Sequence, residues 1–231
     1  MCSSVVVFRD REDAGRQLAE KLAGYQLEDP IVLGLPRGGV IVAAEVADAL
    51  RAPLEVFVAR KLGAPGCPEL GIGAIASGGV CVLDRRVIEL FGLSQADVSQ
   101  VICEETLEMA RRVRRFRGNR PFPDLRNRTV ILVDDGLATG VTARAAVQAL
   151  RLHRPRHLVL AVPVSSREGA MQLLREVDDL ICVSAPADFR AVGLWYEEFP
   201  QVFDEEVVAC LEAARQRRAE SAPAAGLAAA A

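Results

Sequence analysis

Lysine is almost missing from this chain: two of its 28 basic residues are lysine, Lys21 and Lys61, and the rest are arginine. Arginine bias on that scale reflects base composition of a genome, so a single Arg carries little weight by itself. Aromatic residues are also scarce, at 5% with one Trp and two Tyr. No charge of one sign dominates: the formal net charge is −3 over 231 residues. That balance argues against a general nucleic-acid binder. No apolar run approaches the roughly 18 residues that a membrane span needs. The N-terminus MCSSVVVFRDRED turns charged after a short apolar run, so it does not read as a signal peptide. The six cysteines, Cys2, Cys67, Cys81, Cys103, Cys182 and Cys210, form no CxxC pair. Scattered in this way they suit reduced thiols in a cytoplasm, not a disulfide framework or a zinc site.

What is present is a globular composition, 51% hydrophobic and 26% charged. Short apolar runs alternate with segments of helical period. Ile31–Leu35, Leu54–Ala59, Thr129–Val133, His157–Val162 and Leu180–Ser184 read as strands. Asp13–Ala23, Val40–Leu50, Ser94–Arg117, Thr142–Leu152, Arg167–Glu176 and Asp204–Arg218 read as helices, the third with Ser94 and Asp97 as a capping box. Val5–Phe8 reads as a short edge strand. Strands apolar on both faces, alternating with helices, predict an α/β fold with an open, mainly parallel twisted sheet flanked by helices. Residues 63–79 hold six Gly and two Pro and read as a long irregular excursion, a lid in functional terms.

In such a sheet, ligands sit beyond the carboxyl ends of the strands. Three ends carry unusual residues: Leu35-Pro-Arg-Gly-Gly39, Arg60-Lys61 and Asp134-Asp135-Gly136. The sharpest segment is Val130-Ile-Leu-Val-Asp-Asp-Gly-Leu-Ala-Thr-Gly-Val-Thr142. A buried strand delivers Asp134 and Asp135 to its tip, and a small-residue turn then opens a helix. Backbone N–H groups of Gly136, Leu137, Ala138, Thr139, Gly140, Val141 and Thr142, with the helix dipole, make an anion cradle. The hydroxyls of Thr139 and Thr142 add donors. Two carboxylates would repel the phosphate beside them, so they fit hydroxyls of the same ligand or a metal that it brings. A sugar 5-phosphate with free 2- and 3-hydroxyls satisfies both halves. A P-loop would need Lys where Val141 stands, and a receiver domain would need a Lys further downstream, where there is none.

This segment resembles the signature loop of the type I phosphoribosyltransferases. It departs from the pattern at Gly136, where the family usually carries an apolar residue. The wider pattern, from FRDRxxAG through PRGG and RKLGAP to VGxWY, is similar to a bacterial subgroup of that family. The resemblance implies a single domain over residues 1–218: a core of about 30–184, a small hood from about 1–29 and 185–204, and a C-terminal helix over about 204–218, followed by a disordered tail over 219–231. It implies transfer of 5-phosphoribose from phosphoribosyl pyrophosphate to a nitrogen acceptor, a nucleobase first among them, with release of pyrophosphate. Asp134 and Asp135 would be the catalytic pair on the ribose hydroxyls. Arg37, Gly38, Gly39, Arg60 and Lys61 would hold pyrophosphate. Mg2+ would come with the phosphoribosyl pyrophosphate, bound mostly through ligand and water and near Asp134 and Asp135. Glu69, within the Gly-rich segment, would sit on a mobile loop that closes over the site; a hairpin arm between two copies of a homodimer is the competing reading.

The acceptor is less legible. The 6-oxopurine members carry an Asp where this chain has Ala138. Phe189, Trp195 and Tyr196 are the candidates to stack on a planar base, against a packing cluster at the sheet edge. Arg111, Arg112, Arg114, Arg115, Arg117 and Arg120 crowd one helix end. They read as a solvated, dipole-matched terminus, with a non-catalytic phosphoribosyl pyrophosphate-binding regulator of RNA or DNA as the alternative function.

Overall fold

The computed structural model describes residues 7–221, the side chains at 68, 69 and 221 excepted. Its regular elements are α1 (Arg11–Leu22), β1 (Ile31–Gly34), α2 (Gly38–Leu50), β2 (Leu54–Val56), β3 (Ala59–Ala64), β4 (Cys67–Ala76), β5 (Val80–Leu83), α3 (Arg85–Leu90), α4 (Gln95–Arg117), β6 (Thr129–Val133), α5 (Val141–Leu152), β7 (His157–Val164), α6 (Arg167–Leu173), β8 (Asp179–Ser184) and α7 (Asp204–Ser221). Two 3-10 turns, Ala23–Glu28 and Val192–Trp195, complete the set.

Five strands form one sheet in the order β2-β1-β6-β7-β8, every pair parallel. Both faces are covered, which is why its strands are continuous apolar runs. Val32, Ile131, Val133, Val159 and Ala161 face one core with residues of α1, α2, α4 and α7. Ile31, Leu33, Val130, Leu132, Leu158 and Leu160 face the other, with residues of α5 and α6. Leaving β1, the chain winds toward β2; leaving β6, it winds toward β7 and β8. The winding therefore reverses between β1 and β6, and the crevice beyond their carboxyl ends is where open parallel sheets bind ligands.

The Gly-rich segment is the main departure from expectation. It is not irregular: β3, β4 and β5 form a separate antiparallel sheet. Its glycines mark two hairpin turns, at Gly66 and at Gly78-Gly79, all with positive φ. At Gly73 a side chain would meet the Val82 carbonyl at 2.2 Å, so the strands close only over hydrogen. Helix α3 was likewise not anticipated, because six residues show too little period. Ser94 does cap α4, with the reciprocal Asp97 bond in place. Val5 and Val6 lie outside the described residues, while Phe8 pairs in parallel with Tyr196. Glu197 N–H donates to the Phe8 carbonyl and Glu198 N–H to that of Arg9, at 2.8 Å each. The α7 helix runs on to Ser221, and the rest of the expected tail lies outside the described residues.

Candidate active site

The site is built by two adjacent loops. β6 is buried along its whole length, and it ends where Asp134 and Asp135 follow. The Asp135 N–H donates to Asp134 Oδ1 at 2.9 Å, so the first acid caps the turn that the second begins. Leu137 is buried and anchors the turn: its N–H donates to the Val164 carbonyl, and its carbonyl accepts from Ser166 N–H, both at 2.8 Å. The Ser166 hydroxyl donates to the Ala138 carbonyl at 2.5 Å. Residues Ala138, Thr139, Val141 and Thr142 are exposed around this anchor. Gly140 takes φ +73 and opens α5, and no side chain caps that helix. The first-turn amides of α5 and the two threonine hydroxyls thus remain donors toward solvent.

The second loop follows β1. Leu35 N–H donates to the Val133 carbonyl at 2.9 Å, which ties the two strand ends together. The Pro36–Arg37 peptide is cis. Gly39 lies so close to β6 that a Cβ there would stand 2.8 Å from Asp134 Cα. A Cβ on Gly38 would stand 1.9 Å from Asp135 Oδ2. The PRGG glycines are therefore required by contact with the acidic pair. Arg37 is exposed, and its Nη1 lies 3.8 Å from Asp204 Oδ1 at the start of α7.

Asp135 is held from two sides. Tyr196 Oη donates to its carbonyl at 2.6 Å, and Arg11 Nε donates to its Oδ2 at 2.9 Å. Arg11 also donates from Nη1 to the Pro200 carbonyl at 2.8 Å, and its guanidinium lies 3.8 Å over the Phe199 ring. Burial, and then the neighbouring Asp135 carboxylate, push Asp134 well above the ordinary carboxylate range, against the opposing pull of the Asp135 amide and Arg11. Burial and the same acids raise the Tyr196 phenol, which stays a donor.

Several expected site residues make contacts other than the expected ones. Arg60 Nε pairs with Glu105 of α4, and Lys61 lines a depression of about 460 Å³ with Val101, Glu104 and Glu105. Both sit on β3, which leaves the parallel sheet for the antiparallel one; the apolar run at 54–59 concealed that break. Glu69 lies on β4, and its side chain is outside the described residues. Trp195 and Tyr196 are 7% and 6% exposed, packed with Phe8, Ala14 and Val164. They do not offer an open face for stacking, and Phe189 packs half-buried against the same cluster. The more accessible ring is Phe199, 36% exposed, with its ring centroid 4.8 Å from that of Tyr196.

Two residues of the site were not foreseen. Arg11 lay inside the FRDRxxAG pattern, but with so many arginines nothing marked this one. Val192 explains the Gly136 departure: a Cβ at 136 would stand 2.4 Å from Val192 Cγ1. The glycine makes room for the 3-10 turn above it. Among the described residues, no group of three or more His, Cys, Asp or Glu gathers as a metal cage, and no helix is long and apolar enough to cross a membrane.

A family model described as "Phosphoribosyl transferase domain" matches residues 8–197. The chain belongs to the phosphoribosyltransferase family. That is a family of pentosyltransferase enzymes. A crystal structure of the protein TT1426 from Thermus thermophilus superposes with a TM-score of 0.81 at 43% identity, over 89% of this chain and 97% of that one. A Mycobacterium tuberculosis protein provisionally named a phosphoribosyl transferase is 46% identical over 215 residues, 93% of this chain and 48% of the relative. This phosphoribosyltransferase chain thus spans about half the length of that curated relative. The bifunctional protein PyrR of Deinococcus radiodurans is 34% identical over 136 residues, 56% of this chain and 72% of the relative.

Proposed function

We propose that this chain moves 5-phosphoribose from phosphoribosyl pyrophosphate to a nitrogen acceptor, a nucleobase, with release of pyrophosphate. One observation carries the reading: an acidic pair and an uncapped, exposed helix start stand together at the point where the sheet winding reverses. Residues 136 and 138–142 would take the 5-phosphate on backbone amides and on the Thr139 and Thr142 hydroxyls, whereas the buried Leu137 gives its N–H to the Val164 carbonyl and serves as the anchor of the turn. Asp135, and Asp134 beside it, would accept hydrogen bonds from the ribose hydroxyls. As the C1–O bond to pyrophosphate breaks and the C1–N bond forms, positive charge develops on the ring. A carboxylate already fixed in place stabilises that charge without rearrangement. Arg37 and the bare backbone of Gly38 and Gly39 would receive the pyrophosphate.

The donor set suits a Mg2+ that arrives on the pyrophosphate and keeps its waters, because Asp135 Oδ2 is committed to Arg11 and Asp134 favours its proton. Such an ion would neutralise charge on the leaving group. The segments 7–29 and 185–204 would form the hood, with Phe199 in place of Trp195 as its acceptor-side ring.

The arginine run gives little support to a nucleic-acid function. Arg111 and Arg112 pair with Glu108, Arg115 with Glu205 and Arg117 with Glu55. The test is a panel of nucleobases and small amines, read as Mg2+-dependent pyrophosphate release. Turnover with one class of acceptor is the expected result. No turnover with any acceptor, alongside tight sugar binding that alters RNA affinity, would assign the chain to the regulators instead.

A further inference from the structure

Arg11 enters the site from the first residue of α1, more than a hundred positions before Asp135. It is 8% exposed, and three different contacts fix its guanidinium: the Asp135 carboxylate, the Pro200 carbonyl and the Phe199 ring. The carboxylate it holds has little freedom. Gly38 presses on it from one side, where a Cβ would stand 1.9 Å from Oδ2 and 2.7 Å from Arg11 Nε. Tyr196 fixes the backbone of the same residue from another. Asp134 is held differently, by the amide of Asp135 and, among the described residues, by no basic side chain at hydrogen-bond distance.

An aspartate on a small-residue turn would otherwise rotate freely, and a misplacement of about 1 Å can cost on the order of a hundredfold in rate. A planar guanidinium that bonds a carboxylate, bonds a carbonyl and stacks on a ring is suited to prevent this. An ammonium could make the first contact alone. Joining α1 to the 199–200 segment would need no charge, since burying an ion pair rarely stabilises more than apolar packing of equal volume.

We propose that Arg11 is a positioning residue for phosphoribosyl transfer: it holds the Asp135 carboxylate in the orientation that meets the ribose hydroxyls. The proposal rests on the transfer reading above. The test is a double-mutant cycle of Arg11→Met and Asp135→Asn, read as kcat/KM and as the Kd for phosphoribosyl pyrophosphate with Mg2+ by calorimetry. Arg11→Met alone is expected to lower kcat/KM by about tenfold or more, and by less than about threefold when Asp135 is already Asn. Arg11→Lys recovers part of the loss. Where the Asp135→Asn enzyme is too slow to assay, Kd closes the same cycle. Equal losses in both backgrounds, or an Arg11→Met enzyme with unchanged constants, would overturn the proposal. If Arg11→Met does not fold, Arg11→Lys takes its place in the cycle under the same criterion.

A third readout needs no ligand. The Arg11 Nε–Hε resonance of the free protein should be protected from exchange, and Asp135→Ala, which leaves no side-chain acceptor, should remove that protection. A resonance indifferent to Asp135→Ala refutes the pairing whatever the enzyme does. A wild type that neither binds the sugar nor turns over, yet shows the protected resonance, refutes the transfer reading and this proposal with it while leaving the pair intact.

Discussion

The Gly136–Val192 contact permits a stability experiment with its magnitude set by geometry. An alanine at 136 would place its Cβ 2.4 Å from Val192 Cγ1, 2.8 Å from Cγ2 and 3.1 Å from Cβ. Carbon atoms prefer about 3.5–4.0 Å, so the 3-10 turn must move. Overpacking of this kind costs roughly 1–3 kcal/mol. Against it stands the reduced freedom of the unfolded chain, about 0.4–1 kcal/mol in favour of alanine where φ is compatible. Gly136 is not among the positive-φ glycines, so that offset applies. The net expectation for Gly136→Ala is a loss of about 1–2 kcal/mol. Val192→Ala deletes both offending methyl groups from a half-buried side chain, at a cost of about 1 kcal/mol by itself. In the double variant only the 3.1 Å contact remains. It should therefore lose about 1 kcal/mol less than the sum of the single variants. Urea unfolding followed by Trp195 fluorescence reads this directly, since the sole Trp is buried three residues away. Additive losses, or a Gly136→Ala protein as stable as wild type, would refute the account of why this chain departs from its family at 136.

Asp135→Asn should lower turnover by about a hundredfold or more, and also lower stability by roughly 1–2 kcal/mol because Arg11 keeps its charge without a carboxylate; pyrophosphate release and urea unfolding check the two halves. Cys182 and Cys210 are pushed up to about 11 by burial, so at pH 8 they should resist a thiol reagent until the protein unfolds, while the exposed Cys67 and Cys103 react at once; peptide mapping of labelled sites decides. At the opposite edge of the sheet, Tyr25 and then His157 donate to Asp179 and hold it below the ordinary carboxylate range. A depressed carboxyl stabilises the fold above the unfolded value of about 4 and loses that contribution as pH falls through its folded value. Asp179→Asn should therefore be less stable than wild type at neutral pH, with the gap closing below about pH 4 in parallel denaturation series.

The antiparallel sheet changes how the central part of the chain works. The Gly-rich stretch reads from sequence as a mobile cover for the site, with a hairpin arm as the competing reading. It forms hairpins in which β3 and β4 pack against α4 and α5, and the buried Leu62, Ala64, Ile72 and Ile75 belong to the same core as α2. The glycines serve close strand approach and hairpin turns. Gly78 illustrates the point: a side chain there would meet His153 at 2.4 Å, so the hairpin turn is pinned to the end of α5.

Local signals settled most of the architecture before any coordinates. Five apolar runs gave the parallel strands, and the helix starts fell within a few residues of their observed places, because period and capping act over one or two turns. The Asp134–Thr142 loop was equally legible, since acids, small residues and helix start are contiguous. Partners distant in the chain were not. Arg11 and Asp135 meet only because α1 and the 197–200 segment converge on the end of β6, and Gly136 makes sense only once Val192 is seen above it. Trp195 and Tyr196 gave an aromatic signal, but burial alone decided that they brace the site from within. Sequence spacing fixes what a segment can do by itself, whereas contacts across the sheet depend on how every intervening element packs.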